Sequence, residues 1–490
     1  MRHSLKRWLL LCLSSLWAQR AGFLYALWDL DFEAAEREIT FEWNGSYITW
    51  DQHRIAFFKA LFPQHPSEKE AFWNLTTLYE RQFERQIAPT LPELVADAYA
   101  QRAILYVLDK NWVNAGLAAW KSWRFLQKAQ EKDPLTHQWR GLWQVVFATL
   151  PSTYSRWLPG DVTLRWEAAQ AALRKASAPG SYTTWESSLL YFFILRNLDT
   201  LASPWLDTCR QRLFSQRPPP YLWRFALALY ATEEGEFFQA ETLLQALIRS
   251  PKVRRFPYPY YWLGKLYLYQ GRGAEAEKLW KEFVLHQIGS MGLAAQYAWR
   301  GYIAWQRGDS AEARSLWRAA LSYDGPLWEE DALGQAWAKT WLEDPPDATE
   351  SRLWAARWLI QGKNYTQARD TLEELRLNRH RLTGDQRTAL YYTFGRLYHR
   401  SGNEEAARFA YYQATREVAQ KNRWMQAYAA LYLAQLYEKS ADWHNARLYY
   451  QEAQRLGEAL GRSGVVQKAL AGYIRVREKK YPVPGEASRR

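Results

Sequence analysis

Apolar and small residues recur at helical spacing along most of this chain, and between residues 389 and 456 the pattern appears twice. Residues 389–415 read ALYYTFGRLYHRSGNEEAARFAYYQAT, and residues 427–453 read AYAALYLAQLYEKSADWHNARLYYQEA. Gly395, Tyr398, Gly402, Ala407, Tyr411 and Ala414 of the first copy correspond to Ala434, Tyr437, Ala441, Ala446, Tyr450 and Ala453 of the second. Each copy predicts a helical hairpin: a first helix with a small residue where its partner crosses, a tight turn, and a second helix that packs back through its own alanine. Gly or Ala is needed at the crossing because a larger side chain would hold the two backbones apart.

The same offsets return upstream. LGKLYLYQGRGAEAEKLW supplies Gly264, Tyr267, Gly271, Ala276 and Trp280, and GYIAWQRGDSAEARSLWRAA supplies Gly301, Gly308, Ala313, Trp317 and Ala320. ARWLIQGKNYTQARDTL contributes Ala356, Ala368 and Leu372, and FALALYATEEGEFFQAETLL contributes Ala228, Gly235, Ala240 and Leu244. From Ala240 to Ala446 the second-helix alanines step by 36, 37, 55, 39 and 39 residues. The long step holds one extra helix-like stretch, residues 327–342, before the Pro345-Pro346 turn. This arrangement resembles the tetratricopeptide (TPR) family, whose units of about 34 residues carry a tryptophan-like residue, L-G-x-x-Y and A-x-x-x-F. The resemblance implies an all-α superhelical array of antiparallel helical hairpins, a TPR-like α-solenoid with an irregular helical N-terminal part.

Residues 21–180 predict that irregular part. YALWDLDFEAAEREI is amphipathic, helices follow near residues 52–62 and 67–87, and a TPR-like pair covers residues 96–108 and the stretch NWVNAGLAAWKSWRFLQKA. Residues 142–157 and 163–175 read as helices on either side of a Pro159-Gly160-Asp161 turn. A helical pair and a proline-rich break (QRPPP, ending at Pro220) occupy residues 185–220, and the regular array spans residues 221–462. Residues 463–480 predict a helix that covers the last hairpin, and residues 481–490 a polar tail.

Composition narrows the class. A 48% hydrophobic fraction over 490 residues excludes a disordered chain and allows one long array. The 28 Trp and 31 Tyr suit the aromatic contacts between stacked hairpins. A net charge of +13 favours an acidic partner, but no Lys/Arg-rich block of the nucleic-acid kind occurs. Residues 1–20 join a basic start (Arg2, Lys6, Arg7) to a short apolar run, the form of a secretory signal peptide, with an uncleaved N-terminal anchor as the alternative. No later stretch reaches the roughly 18 apolar residues of a membrane span. Cleavage would leave Cys209 as the one thiol, in a helical, half-buried setting, and no internal disulfide.

Candidate chemistry is sparse. Gly271 to Ala276 fits a GxGxxA dinucleotide fingerprint, but a helix rather than a strand precedes it. The eight histidines are scattered, so neither a metal site nor a cofactor is expected. Glu329, Glu330 and Asp331 form an acidic helix start, which the helix dipole favours by itself. The chain reads as a non-enzyme.

The TPR resemblance implies that the first helix of each hairpin faces the concave groove. The residues directly after the crossing position are Lys265, Tyr302, Arg357, Arg396 and Gln435, and Trp305, His399, Arg400 and Lys439 lie a turn further on. They predict a basic stripe with aromatic walls, suited to an extended acidic segment of another protein. The asparagine of the TPR carboxylate clamp is missing from these positions. FPYPYYW, residues 256–262, reads as a cramped linker or an aromatic edge. The whole layout is similar to long exported TPR proteins of Gram-negative envelopes, which implies a periplasmic or outer-envelope scaffold, with peripheral membrane association as a possible addition. Two other functions fit the same pattern: a glycan or small-ligand module, and a structural subunit of an envelope assembly.

Overall fold

The computed structural model describes residues 22–39, 45–62, 65–149, 166–179, 181, 183–198, 207–209, 211–212, 219–323 and 328–480. Residues 1–20, expected to be a signal peptide, the expected turn at Pro159-Gly160-Asp161, most of the QRPPP break and the expected polar tail lie outside them. Among the described residues every regular element is helical. The N-terminal part holds α1 (Phe32–Ile39), α2 (Gly45–Leu61), α3 (Pro66–Gln82), α4 (Pro92–Leu108), α5 (Trp112–Lys128), α6 (Pro134–Ala148), α7 (Trp166–Ala176) and α8 (Thr184–Leu198). The array follows as hairpins α9–α10 (Tyr221–Glu234, Phe237–Ile248), α11–α12 (Tyr258–Tyr269, Gly273–His286) and α13–α14 (Leu293–Gln306, Ser310–Leu321). Helix α15 (Glu329–Glu343) is single. Then come α16–α17 (Ala348–Gln361, Tyr365–Leu377), α18–α19 (Gly384–Arg400, Glu404–Arg416), α20–α21 (Arg423–Lys439, Trp443–Ala459) and the last helix α22 (Ser463–Lys480). The fold is an all-α, TPR-like solenoid.

Local sequence explains each hairpin. Helix α6 starts at Pro134 rather than Leu142 because Asp133 caps it, accepting from Leu135 N at 2.8 Å, with proline in the first turn. In the array, Asp309, Asn403 and Asp442 cap the second helices. The residue just before the cap bends the chain where the helices turn: Gly308 and Gly402 take φ of 87° and 85°, a conformation free of steric cost only for glycine.

The crossings are more specific than small-against-small packing. Trp280 of α12 fills the notch above Gly264, and its Nε1 donates to Tyr261 O at 3.0 Å. Trp317 of α14 repeats this over Gly301, with its Nε1 donating to Ala298 O at 3.2 Å. Tyr411 fills the notch at Gly395. A Cβ on residue 264 would lie 2.6 Å from Trp280 Nε1. Gly264→Ala is therefore expected to destabilise the fold by about 1–3 kcal/mol. Urea unfolding tests this, and a loss below roughly half a kcal/mol would show that the indole shifts freely.

The array closes on itself. Gln361 Nε2 at the end of α16 donates to Thr232 O at 3.0 Å and Glu233 O at 2.9 Å at the end of α9. Helix α22 packs on α21 and also on α6, α7 and α8 of the N-terminal part. Ala471 and Ile474 join a core with Trp166, Leu173, Leu189 and Phe192. Arg475 anchors that contact: it forms a buried ion pair with Glu438 at 3.0 and 2.9 Å and donates to Leu198 O at 2.6 Å. Cys209 lies in the same core and is fully buried rather than half-buried, and burial pushes its thiol pKa up to about 11.

Candidate functional site

The first helices of several hairpins, together with the extra helix α15, surround a cavity of about 220 Å³. Helices α11, α13, α15, α16, α18 and α20 line it. Three of the nine residues expected in the groove meet there: Lys265, Arg357 and Arg396. The walls are indoles and phenols, among them Trp299, Trp337, Trp354, Trp358, Trp424 and Tyr392.

The three cations stand in different surroundings. Lys265 pairs with Glu330 and lies 4.3 Å from the Trp262 ring centre. Burial works against its ammonium, but Glu330 more than offsets that and its pKa is raised. Arg357 has no carboxylate partner among the described residues. Its guanidinium stacks on Trp354 at 4.1 Å, Nε donates to Thr393 Oγ1 at 3.2 Å, and Nη2 lies 3.6 Å from Met425 Sδ. Burial holds its pKa down to about 10, so it stays charged at neutral pH. Arg396 also lacks an ion pair among the described residues and lies 4.6 Å from the Tyr432 ring centre.

The remaining six expected residues do not line the cavity. Tyr302 is buried, not groove-facing, because the extra helix α15 covers α13: its ring meets Trp341 at 5.5 Å and Trp358 at 5.8 Å. A regular repeat lacks that helix, so the register alone misplaces Tyr302. Gln435 is buried as well, since α20 is packed by α18, α19, α21 and α22. Trp305 is tied to the array by a 3.0 Å bond from its Nε1 to Pro346 O. Lys439 is exposed and pairs with Glu404.

His399 and Arg400 lie behind Arg396. Arg400 donates to Gln361 Oε1 at 3.3 Å, and burial followed by the nearby Arg396 charge lowers its pKa. His399 sits against the Tyr411 and Tyr432 rings, and burial, then Arg396, push its pKa down to about 4. A histidine with a depressed folded pKa contributes stability that is complete above its unfolded value near 6.5 and is lost as pH falls towards 4. The stability deficit of His399→Gln at pH 7 is therefore expected to shrink at pH 4.5. Parallel denaturant titrations check this, and a constant deficit would contradict it.

The acidic start of α15 proves to be a three-way staple. Glu329 accepts from Gly464 N of α22 at 3.2 Å, and Glu330 accepts from Tyr261 OH at 2.5 Å besides pairing with Lys265. Asp331 caps α13, accepting from Gly292 N at 2.7 Å and Ala295 N at 2.9 Å, and burial raises its pKa to about 6. FPYPYYW is interior packing rather than an aromatic edge: Phe256, Tyr258, Tyr261 and Trp262 are all buried. The GxGxxA stretch is the turn between α11 and α12, with Gly271 at φ 76° and no strand before it.

The repeat register marks the cations of the cavity but not most of its walls. Trp337 comes from the irregular helix α15, and Trp354 and Trp424 from positions of α16 and α20 that no repeat offset marks as groove positions. The density of Trp in residues 299–358 was the available signal.

No known family model matches this sequence, and no curated protein matches it. Among solved structures, the chain is similar to a human IFIT1 dimer with PPP-AAAA, at 14% identity over 92% of this chain and 95% of that one, with a TM-score of 0.32. It is similar also to the TPR domain of P58(IPK), at 14% identity over 88% of this chain and 99% of that one, with a TM-score of 0.24. Among the described residues no helix is long and apolar enough to cross a membrane.

Proposed function

We propose that this protein is a non-catalytic interaction scaffold that captures an acidic group of a partner protein on its concave side. The observation that carries this reading is the charge balance of the cavity: Lys265, Arg357 and Arg396 line it together with a single carboxylate, Glu330. Lys265 is matched by that carboxylate, which leaves two guanidinium groups for a partner's acid. A solenoid presents such a face from several hairpins at once, and the low local dielectric strengthens each charged contact. The size of the cavity supports entry of one acidic side chain or chain end, with the rest of an extended segment lying across the rim.

The test is affinity capture from the host's envelope extract, using the tagged chain beside a variant with Lys265→Glu, Arg357→Glu and Arg396→Glu, both checked for folding by circular dichroism. The scaffold reading expects a partner that the wild type retains and the folded variant loses. The same partner on both proteins, or on neither, would overturn it. The envelope address is a separate part of the proposal and derives from residues 1–20. Cell fractionation tests it, and a full-length chain found only in the cytosol would contradict it.

A further inference from the structure

Two residues that line the cavity carry buried hydrogen-bond donors that no other described residue uses. Arg357 Nη1 and Trp337 Nε1 are buried and have no acceptor, and both residues line the cavity. Native proteins leave few buried donors unpaired, because each one forfeits its bonds to water without replacement. Elsewhere on the Arg357 guanidinium, Nε donates to Thr393 and Nη2 meets Met425. Arg357 Nη1 carries two N–H groups and neither has an acceptor, which suits it to an oxygen of an anionic ligand.

The walls define the rest of the ligand. Trp299, Trp337 and Trp354 meet edge to face or tilted, with ring centres 4.7 to 5.2 Å apart, and Trp424 lies 6.1 Å from Trp337. Trp337, Trp354, Trp358 and Trp424 remain only partly buried, so they keep surface that a flat ring would cover. At about 220 Å³ the cavity is smaller than the roughly 300–1,000 Å³ of sites for drug-sized ligands. It has room for one ring system and its charge, and not for a length of polymer.

We infer that the cavity is a binding site for a small aromatic carboxylate, held with its ring among the tryptophans and one carboxylate oxygen on Arg357 Nη1 and Trp337 Nε1. This rests on the reading that the concave side is the binding side. The same chemistry has two sources: a free aryl acetate, or the C-terminal aromatic residue of a partner chain.

The experiment is isothermal titration calorimetry of the full chain with indole-3-acetate, its neutral analogue indole-3-acetamide, and pentaglycyl-tryptophan with a free or an amidated C-terminus. Each is titrated also into Arg357→Gln and Trp337→Phe, with near-ultraviolet circular dichroism as the folding check. At least one acid is expected to bind, and its amide at least tenfold more weakly. Arg357→Gln should weaken the acid at least tenfold, and Trp337→Phe, which keeps an aromatic wall and removes the N–H, several-fold. Binding of indole-3-acetate assigns a free ligand, and binding of the free-acid peptide alone assigns a chain end. Equal binding of acid and amide, no binding by either acid, or an unchanged affinity in both folded variants would overturn the assignment. Should Arg357→Gln fail to fold, Trp337→Phe decides. Partner capture that is still lost with the triple Glu variant would then leave the scaffold reading intact while this one falls.

Discussion

Arg475→Ala is expected to lower the free energy of unfolding by about 3–5 kcal/mol, the range for removing one partner of a buried ion pair. Arg475 and Glu438 are both almost fully shielded from solvent, and Glu438 also accepts from Tyr450 OH at 2.5 Å. Without the guanidinium, the carboxylate is left charged in the interior, and Leu198 O loses its donor as well. The contact joins α22 to α20 and to the end of α8, so its loss loosens the seam between the N-terminal part and the array. Replacing both partners by apolar residues, Arg475→Met with Glu438→Leu, is expected to recover most of the loss. Urea unfolding of the three proteins is the check. A single variant within about 1 kcal/mol of wild type would mean that the seam does not support the fold.

Trp317→Ala is expected to cost about 3–5 kcal/mol, as other large buried aromatics do when truncated. The indole is fully buried, fills the space above Gly301, and packs on Trp305 at 6.0 Å and Trp341 at 5.8 Å. Because Trp341 belongs to the extra helix, the loss reaches beyond one hairpin into the wall of the cavity. Trp317→Phe, which keeps a ring but removes the bond to Ala298 O, should cost less than the alanine variant. Thermal unfolding followed by circular dichroism measures both. Equal losses would show that the hydrogen bond, and not the packing, dominates at this site.

The contrast between these two positions shows what the sequence can reveal. Trp317 and Gly301 stand sixteen residues apart, as do Trp280 and Gly264, Tyr411 and Gly395, and Tyr450 and Ala434. A local contact repeated at one spacing is visible to pattern reading, and so the hairpins were legible. The bonds from Arg475 to Leu198 and from Gln361 to Thr232 join residues far apart in the chain, and each occurs once. Nothing periodic announces them, and the cavity depends on that closure.

The N-terminal part shows the same limit in another form. Asp97, on a helix that reads as ordinary, is buried and accepts from Trp50 Nε1 at 2.6 Å, Gln101 Nε2 at 2.6 Å and Trp139 Nε1 at 2.7 Å. Its partners come from α2, α4 and α6, and Arg54 nearby pairs with Glu186 of α8 at 2.5 Å. A buried polar network of this kind is assembled by the fold from single residues, each unremarkable in its own segment. Within the candidate site, the cations could be named from the repeat register because they sit on regular helices. Tyr302 could not be placed, because the helix that buries it falls outside the repeat.

The proposed role of the concave side is to offer the positive charge of Arg357 and Arg396 to a partner's acid. It is tested most directly by fluorescence anisotropy with a labelled peptide ending in acidic residues, titrated with the wild type and with the folded Lys265→Glu, Arg357→Glu, Arg396→Glu variant at low and high salt. Binding by the wild type that weakens with salt and falls at least tenfold in the variant is the predicted result. Equal affinity in the two proteins would contradict the claim.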